Sequence, residues 1–154
     1  MKDDIQIVTL NSIEEMSEAY FLINQLTPSL SKEKYVRYLK EMTPHHYYQI
    51  AALQGGKMIG VSGYWIATKL YCGKYLEIDN LVVDEACRSR QTGKLLLNEL
   101  QAIALRHHCD VMMLDAYLHN TRAHQFYEKA GLQAKGYHFI KKLNAEVSKH
   151  ECLQ

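Results

Sequence analysis

The sequence predicts a mixed α/β sandwich with its elements in the order β-α-α-β-β-β-α-β-α-β, and three observations carry that expectation. Between Glu77 and Lys94, a run rich in apolar and β-branched residues passes through a basic polar loop into a leucine-rich helix. Gly55-Gly56 separates two strand-like runs, a hairpin signal. A helical pattern over about 92–107 is followed by an apolar run over 111–117, and strand-helix-strand of this kind gives parallel neighbours with a right-handed crossover.

Residues 5–10 are a short apolar run that reads as the opening strand. Ser12-x-x-Glu15 is a capping box, and Met16, Ala19, Tyr20, Ile23 and Leu26 then recur at helical spacing, so a helix should run to just before Thr27-Pro28. A second helix is expected over about 31–42, with Tyr35, Tyr38 and Leu39 on one side, where they either pack on the sheet or touch a substrate. Residues 47–53 and 58–66 are the hairpin strands. A loop at 70–74 returns the chain into the central strand, 75–83, completing an antiparallel meander.

The helix from Thr92 to about His107 places Leu96, Leu100, Ile103 and Ala104 on one face, as a helix packed on a sheet requires. Residues 111–117 read as a buried strand, 120–130 as a helix ended by Gly131, and 132–143 as the last strand. The organisation is one domain, 1–143, with a polar tail, 144–154, expected to fray or to order only in a dimer.

Bulk properties narrow the function. A chain of 154 residues, 47% hydrophobic and 23% charged, has room for a real core, and a net charge of +1 argues against a general nucleic-acid binder. No apolar run approaches the roughly 18 residues of a membrane span. Cys72, Cys87, Cys109 and Cys152 are scattered without zinc or disulfide spacing, and with no leader pattern at the start a reducing cytoplasm is expected. His45-His46 and His107-His108 are adjacent pairs whose side chains diverge, so no metal site is expected.

A strand that feeds a basic loop at a helix start is an anion site. The first N–H groups of a helix have no intrahelical partner and lie at the positive end of its dipole, while Arg88, Arg90 and Lys94 add full charges. Glu77 and Asp79 alternate with their neighbours on the strand before it, which puts them on one face with Leu81 and Val83. They read either as solvated carboxylates or as acid-base groups that would also attract a cation. Ala123, Phe126, Tyr127 and Ala130 form one apolar helical face, so on spacing alone Tyr127 is core.

Arg88-Ser-Arg-Gln-Thr-Gly93 resembles the Arg/Gln-x-x-Gly-x-Gly/Ala loop of the Gcn5-related N-acetyltransferases, the GNAT family. Leu81-Val-Val before it and Asn120-Thr-Arg-Ala-His-Gln-Phe-Tyr-Glu-Lys-Ala-Gly131 after it resemble the same family, and the likeness covers roughly residues 50–143. The resemblance implies a GNAT-like mixed sheet with a splayed central strand pair, acetyl-CoA as cosubstrate, and acetyl transfer to a primary amine, small or peptidic, by direct attack in a ternary complex. It implies that Arg88, Ser89, Arg90, Gln91, Thr92, Gly93 and Lys94 seat the pyrophosphate, that Leu81, Val82 and Val83 line the pantetheine with an amide of Leu81 or Val83 on the thioester carbonyl, and that Asn120 contacts the CoA arm. Glu77 is then the base, Asp79 its rival, and Tyr127 the acid for the leaving thiolate. The resemblance is also compatible with a homodimer through the last strand and tail. One position departs from the pattern: Gln91 stands where the loop has its first glycine. If that position needed φ > 0 the strain would be about 1–2 kcal/mol. Gln91 keeps a second reading open, a non-catalytic acyl-CoA-binding or regulatory module on the same fold.

Overall fold

The computed structural model describes residues 4–87 and 90–144, with the side chain of Arg90 outside the description. Among these residues the strands are β1 (Ile5–Leu10), β2 (Tyr47–Gln54), β3 (Lys57–Lys69), β4 (Gly73–Val83) and β5 (Val111–Leu114), and the helices are α1 (Ile13–Ser17), α2 (Tyr20–Leu26), α3 (Lys32–Met42), α4 (Arg90–Arg106) and α5 (Thr121–Lys129). They form one mixed sheet in the order β1-β2-β3-β4-β5, antiparallel except for the parallel pair β4/β5.

The local signals act as read. Ser12 Oγ accepts from the Glu15 amide and Ser31 Oγ from the Lys34 amide, so both capping serines begin helices. Gly55 and Gly56, at φ 57° and 76°, make the turn that a side chain at either position would strain. The first helical stretch is split at Glu18–Ala19 into α1 and α2.

Two layers of side chains flank the sheet. On the outer face, Ile50, Tyr64, Ile66, Leu76 and Ile78 pack against Leu96, Leu97, Leu100 and Ile103 of α4. On the inner face, Tyr47, Ala51, Val61 and Val82 pack against Met16, Leu22, Ile23, Tyr35 and Leu39 of α1–α3. Tyr35 is core: its hydroxyl donates to the Met16 carbonyl at 2.7 Å.

Three expectations are corrected. The strand expected over 111–117 ends at Leu114, where pairing with β4 stops. The strand expected over 132–143 is not formed in the described chain, which leaves Tyr137, Phe139 and Leu143 largely exposed, Phe139 at 92%. An alternating apolar pattern becomes a strand only where an edge pairs with it. The third correction concerns β4. Opposite β3, Gly63 pairs with Asp79 and Val61 with Val82, so two residues of β4 face one of β3. Asn80, at φ 56°, is the extra one, a bulge in the left-handed conformation that asparagine tolerates better than most side chains. The bulge reverses the alternation. Leu81 and Val83 pack with the outer core and Val82 with the inner one, so Glu77 and Asp79 share their face with Val82 and not with Leu81 and Val83. Residues 1–3 and most of the expected tail, 145–154, lie outside the described residues.

Candidate active site

The parallel pair β4/β5 runs from Tyr75 beside Val111 to Ile78 beside Leu114 and no further. Beyond it β4 continues to Val83 while β5 has ended, so the two strands part and residues 79–83 lie along an opening. The Asp84 amide donates to the Ile59 carbonyl of β3 at 2.8 Å. Amides alternate between the two edges of a strand, so that of Val83 is directed away from β3, toward the opening. An extended acyl chain can hydrogen-bond there as a strand would.

At the end of the opening, Asp84 and Gln25 clamp the chain as it leaves β4. Gln25 Nε2 donates to Asp84 Oδ1 at 3.2 Å, its Oε1 accepts from the Glu85 amide at 3.1 Å, and Asp84 Oδ1 also accepts from the Ala86 amide. These bonds hold the Asp84 carboxyl below the usual range, the Ala86 amide contributing most. Gln25 was missed in the sequence because its partners are about sixty residues away and a lone glutamine at a helix end carries no local signal.

The anion loop follows. Arg88 and Ser89 lie outside the described residues, and α4 begins at Arg90, two residues earlier than the sequence suggested. Gln91 is therefore helical and exposed, and its φ is not positive, so the strain considered for it does not arise. Thr92 is fully buried, with its methyl against the Gly60 backbone. Gly93 is buried beside the Phe126 ring, and Lys94 is exposed. The start of α4, with its dipole and with Lys94 nearby, is where the sequence predicts the anion seat.

Helix α5 faces that seat. Asn120 caps it, its Oδ1 accepting from the Ala123 amide at 3.2 Å, so that oxygen is committed to the fold and its amide nitrogen is the group left for a ligand. The rings of Phe126 and Tyr127 meet edge to face at 5.2 Å, and Tyr127 is half-buried against the outer core. Burial raises the Tyr127 hydroxyl above the ordinary tyrosine value, so it is a protonated donor at neutral pH, and it has no hydrogen-bond partner among the described residues.

On the inner face, Val82 is the residue of β4 buried in the core that α1–α3 close, and Glu77 and Asp79 are partly exposed. Trp65 of β3 stands opposite Glu77, and Gly63 opposite Asp79. Trp65 Nε1 donates to Asp79 Oδ2 at 3.0 Å. Glu77 is half-exposed, with no hydrogen-bond or ion-pair partner among the described residues. Burial, then the charge of Asp115, raises its pKa above the usual glutamate value; Asp79 adds to this, while Lys69 and His138 oppose it. The Asp79 carboxyl is also raised, by burial first and by Asp115, against the lowering bonds from Trp65 and the Asn80 backbone. Asp115 lies just past the last pair of β5 and contacts His138 Nδ1 at 3.0 Å. Asp115 and His138 were not singled out in the sequence, where neither lies in a motif. The candidate site thus joins a backbone opening, the start of α4, a carboxylate without a hydrogen-bond partner among the described residues on one side and a protonated phenol on the other. No group of three or more His, Cys, Asp or Glu able to hold a metal occurs among the described residues, and no helix there is long and apolar enough to cross a membrane.

Comparison with known proteins agrees with this fold. Residues 10–132 match the model of the acetyltransferase (GNAT) family. The chain is 30% identical over 139 residues to the uncharacterized N-acetyltransferase YhdJ of Bacillus subtilis (strain 168), covering 89% of this chain and 98% of that one. Among solved structures it resembles glucosamine-6-phosphate N-acetyltransferase from Arabidopsis thaliana (TM-score 0.71, 24% identity, 92% and 100% of the two chains). It also resembles aminoglycoside N-acetyltransferase AAC(6')-Iy in complex with CoA (TM-score 0.79, 19% identity, 92% and 97%).

Proposed function

The chain belongs to the acetyltransferase (GNAT) family, whose members take acetyl from acetyl-CoA, and on that premise we propose that it acetylates a cationic primary amine by direct attack in a ternary complex. The observation that carries this reading is the parting of β4 from β5 after Ile78 and Leu114, with Glu77 and Asp79 on the inner face beside it. The N-terminal amides of α4 with Lys94 hold the pyrophosphate, joined by Arg88, Ser89 and Arg90. The backbone of Leu81, Val82 and Val83 holds the pantetheine, and the Asn120 amide nitrogen contacts the CoA arm.

Glu77 takes a proton from the acceptor ammonium, and its raised pKa makes it a better base than an ordinary glutamate. The freed amine attacks the thioester carbon, and the Val83 amide donates to the oxygen that gains charge. As the carbon–sulfur bond breaks, Tyr127 gives its proton to the thiolate and regains one from solvent. The products are the N-acetylated amine and CoA. The acidic inner face, with Glu77, Asp79 and Asp115 outnumbering Lys69 and His138, favours a cationic acceptor. The test is thiol release from acetyl-CoA with a panel of primary amines. The expected result is turnover with at least one amine, reduced about 100-fold or more by Glu77→Gln. Acetyl-CoA binding without release for any amine would favour the non-catalytic module instead.

The exposed apolar residues Tyr137, Phe139, Ile140 and Leu143 support self-association through this segment, giving a homodimer.

A further inference from the structure

Side chains cross the inner face of the sheet in two neighbouring rows. Tyr47, Trp65 and Glu77 lie side by side in one, and Gln49, Gly63 and Asp79 in the next. Gly63 leaves a gap in the second row, and the Tyr47 ring fills it so closely that a Cβ at Gly63 would overlap the ring. Tyr47 is in turn fixed from behind: Gln49, fully buried, donates from Nε2 to the Tyr47 hydroxyl at 3.0 Å and to the Tyr35 hydroxyl at 3.1 Å, and Tyr35 is tied to α1. The Trp65 ring rests on Tyr47 at 5.0 Å, and its N–H reaches Asp79, its diagonal neighbour across the β3/β4 pair.

We propose that Trp65 is a positioning residue that locks Asp79 in place as the fixed negative charge of the acceptor wall, leaving the unpartnered Glu77 to move the proton. The proposal rests on the acetyl-transfer reading only for the word acceptor; the lock itself is a property of the protein alone. The groups facing Asp79 are the Trp65 indole from β3, the Asn80 amide and Glu77 from β4, Asp115 from beyond β5, and the Tyr47 phenol from β2. Of these only Trp65 and the Asn80 backbone favour the charged form through hydrogen bonds.

Trp65 is the single tryptophan of the chain, so its fluorescence reports this contact without a label. The experiment titrates the emission of the full-length protein between pH 3.5 and 8, with no acetyl-CoA or amine present. The expected result is one transition with a midpoint above the usual aspartate value, absent in Asp79→Asn and retained in Glu77→Gln. Carboxyl-13C NMR of labelled aspartate in Trp65→Phe, which keeps a ring and removes the donor, should show the Asp79 midpoint moved higher still. A purely structural role for Trp65 would leave that midpoint where it is. Flat emission in the wild type, an unchanged transition in Asp79→Asn, or an unmoved midpoint in Trp65→Phe overturns the proposal. Because the titration involves no turnover, loss of the acetyl-transfer reading would leave its result intact, and the reverse also holds.

Discussion

Replacing Tyr127 by phenylalanine removes one oxygen and nothing else that the fold uses. The hydroxyl has no hydrogen-bond partner among the described residues, so its loss leaves no buried donor or acceptor unsatisfied, and the ring keeps its edge-to-face contact with Phe126. Stability should therefore change by less than about 0.5 kcal/mol. Turnover should respond very differently. Burial keeps the phenol protonated at neutral pH, and a positioned general acid contributes about 100- to 10,000-fold. Its partner here is a thiolate, a good leaving group, so the lower end applies: about 100-fold in kcat, or ~2.7 kcal/mol of barrier. The assay is thiol release from acetyl-CoA with the best amine of the panel, read beside acetyl-CoA affinity and thermal unfolding. The account expects kcat to fall with affinity and Tm unchanged, and the alkaline limb of the wild-type pH profile to lie above the ordinary tyrosine value. An unchanged kcat would remove Tyr127 from the chemistry and return it to the core role that its spacing alone suggests. A fall in Tm that tracks the loss of rate would mean that the hydroxyl supports the fold instead.

Asp79→Asn should raise stability at pH 7.5. A carboxyl whose folded pKa lies above its unfolded value is easier to protonate in the folded state, so stability falls as pH rises from the unfolded value through the folded one. Asparagine can still accept from Trp65, and urea unfolding should show the advantage of the variant shrinking toward pH 4; an advantage that persists at low pH would contradict the shift. Gly63→Ala should cost about 1–3 kcal/mol, because its Cβ displaces the Tyr47 ring and with it Trp65, and an unchanged urea midpoint would show that the row is looser than described. Light scattering of the full chain at micromolar concentration should give a dimer, and Phe139→Glu a monomer; a monomeric wild type would exclude the segment as an interface.

What could be read from the sequence was what is written locally. The Ser12 capping box, the helix starts at Ser31 and Asn120 and the Gly55-Gly56 turn each depend on residues close together in the chain, and each stands where it was expected; that Ser31 and Asn120 cap their helices is added by the structure. The helix after the basic loop was legible from its leucine spacing, although it starts two residues earlier. What escaped reading depends on register between distant segments. Asn80 looks like one more residue of the central strand, and only its pairing with β3 shows it as the bulge that puts Glu77 and Asp79 on the face of Val82. Trp65 lies in no motif, and only the register of β3 on β4 brings its indole to Asp79, fourteen residues away. Gln25 is silent without Asp84 and Glu85. Residues 132–143 show the opposite failure: their alternation is real, but the described chain offers no edge that pairs with it.

The central claim is that the parted strands and the start of α4 form a seat for acetyl-CoA that Gln91 does not close. Isothermal titration with acetyl-CoA, with CoA and ATP as comparators, tests it most directly. The account predicts micromolar binding of acetyl-CoA, clearly tighter than ATP and weakened by salt in proportion to the phosphate contacts. No detectable binding, or binding no tighter than that of ATP, would contradict it.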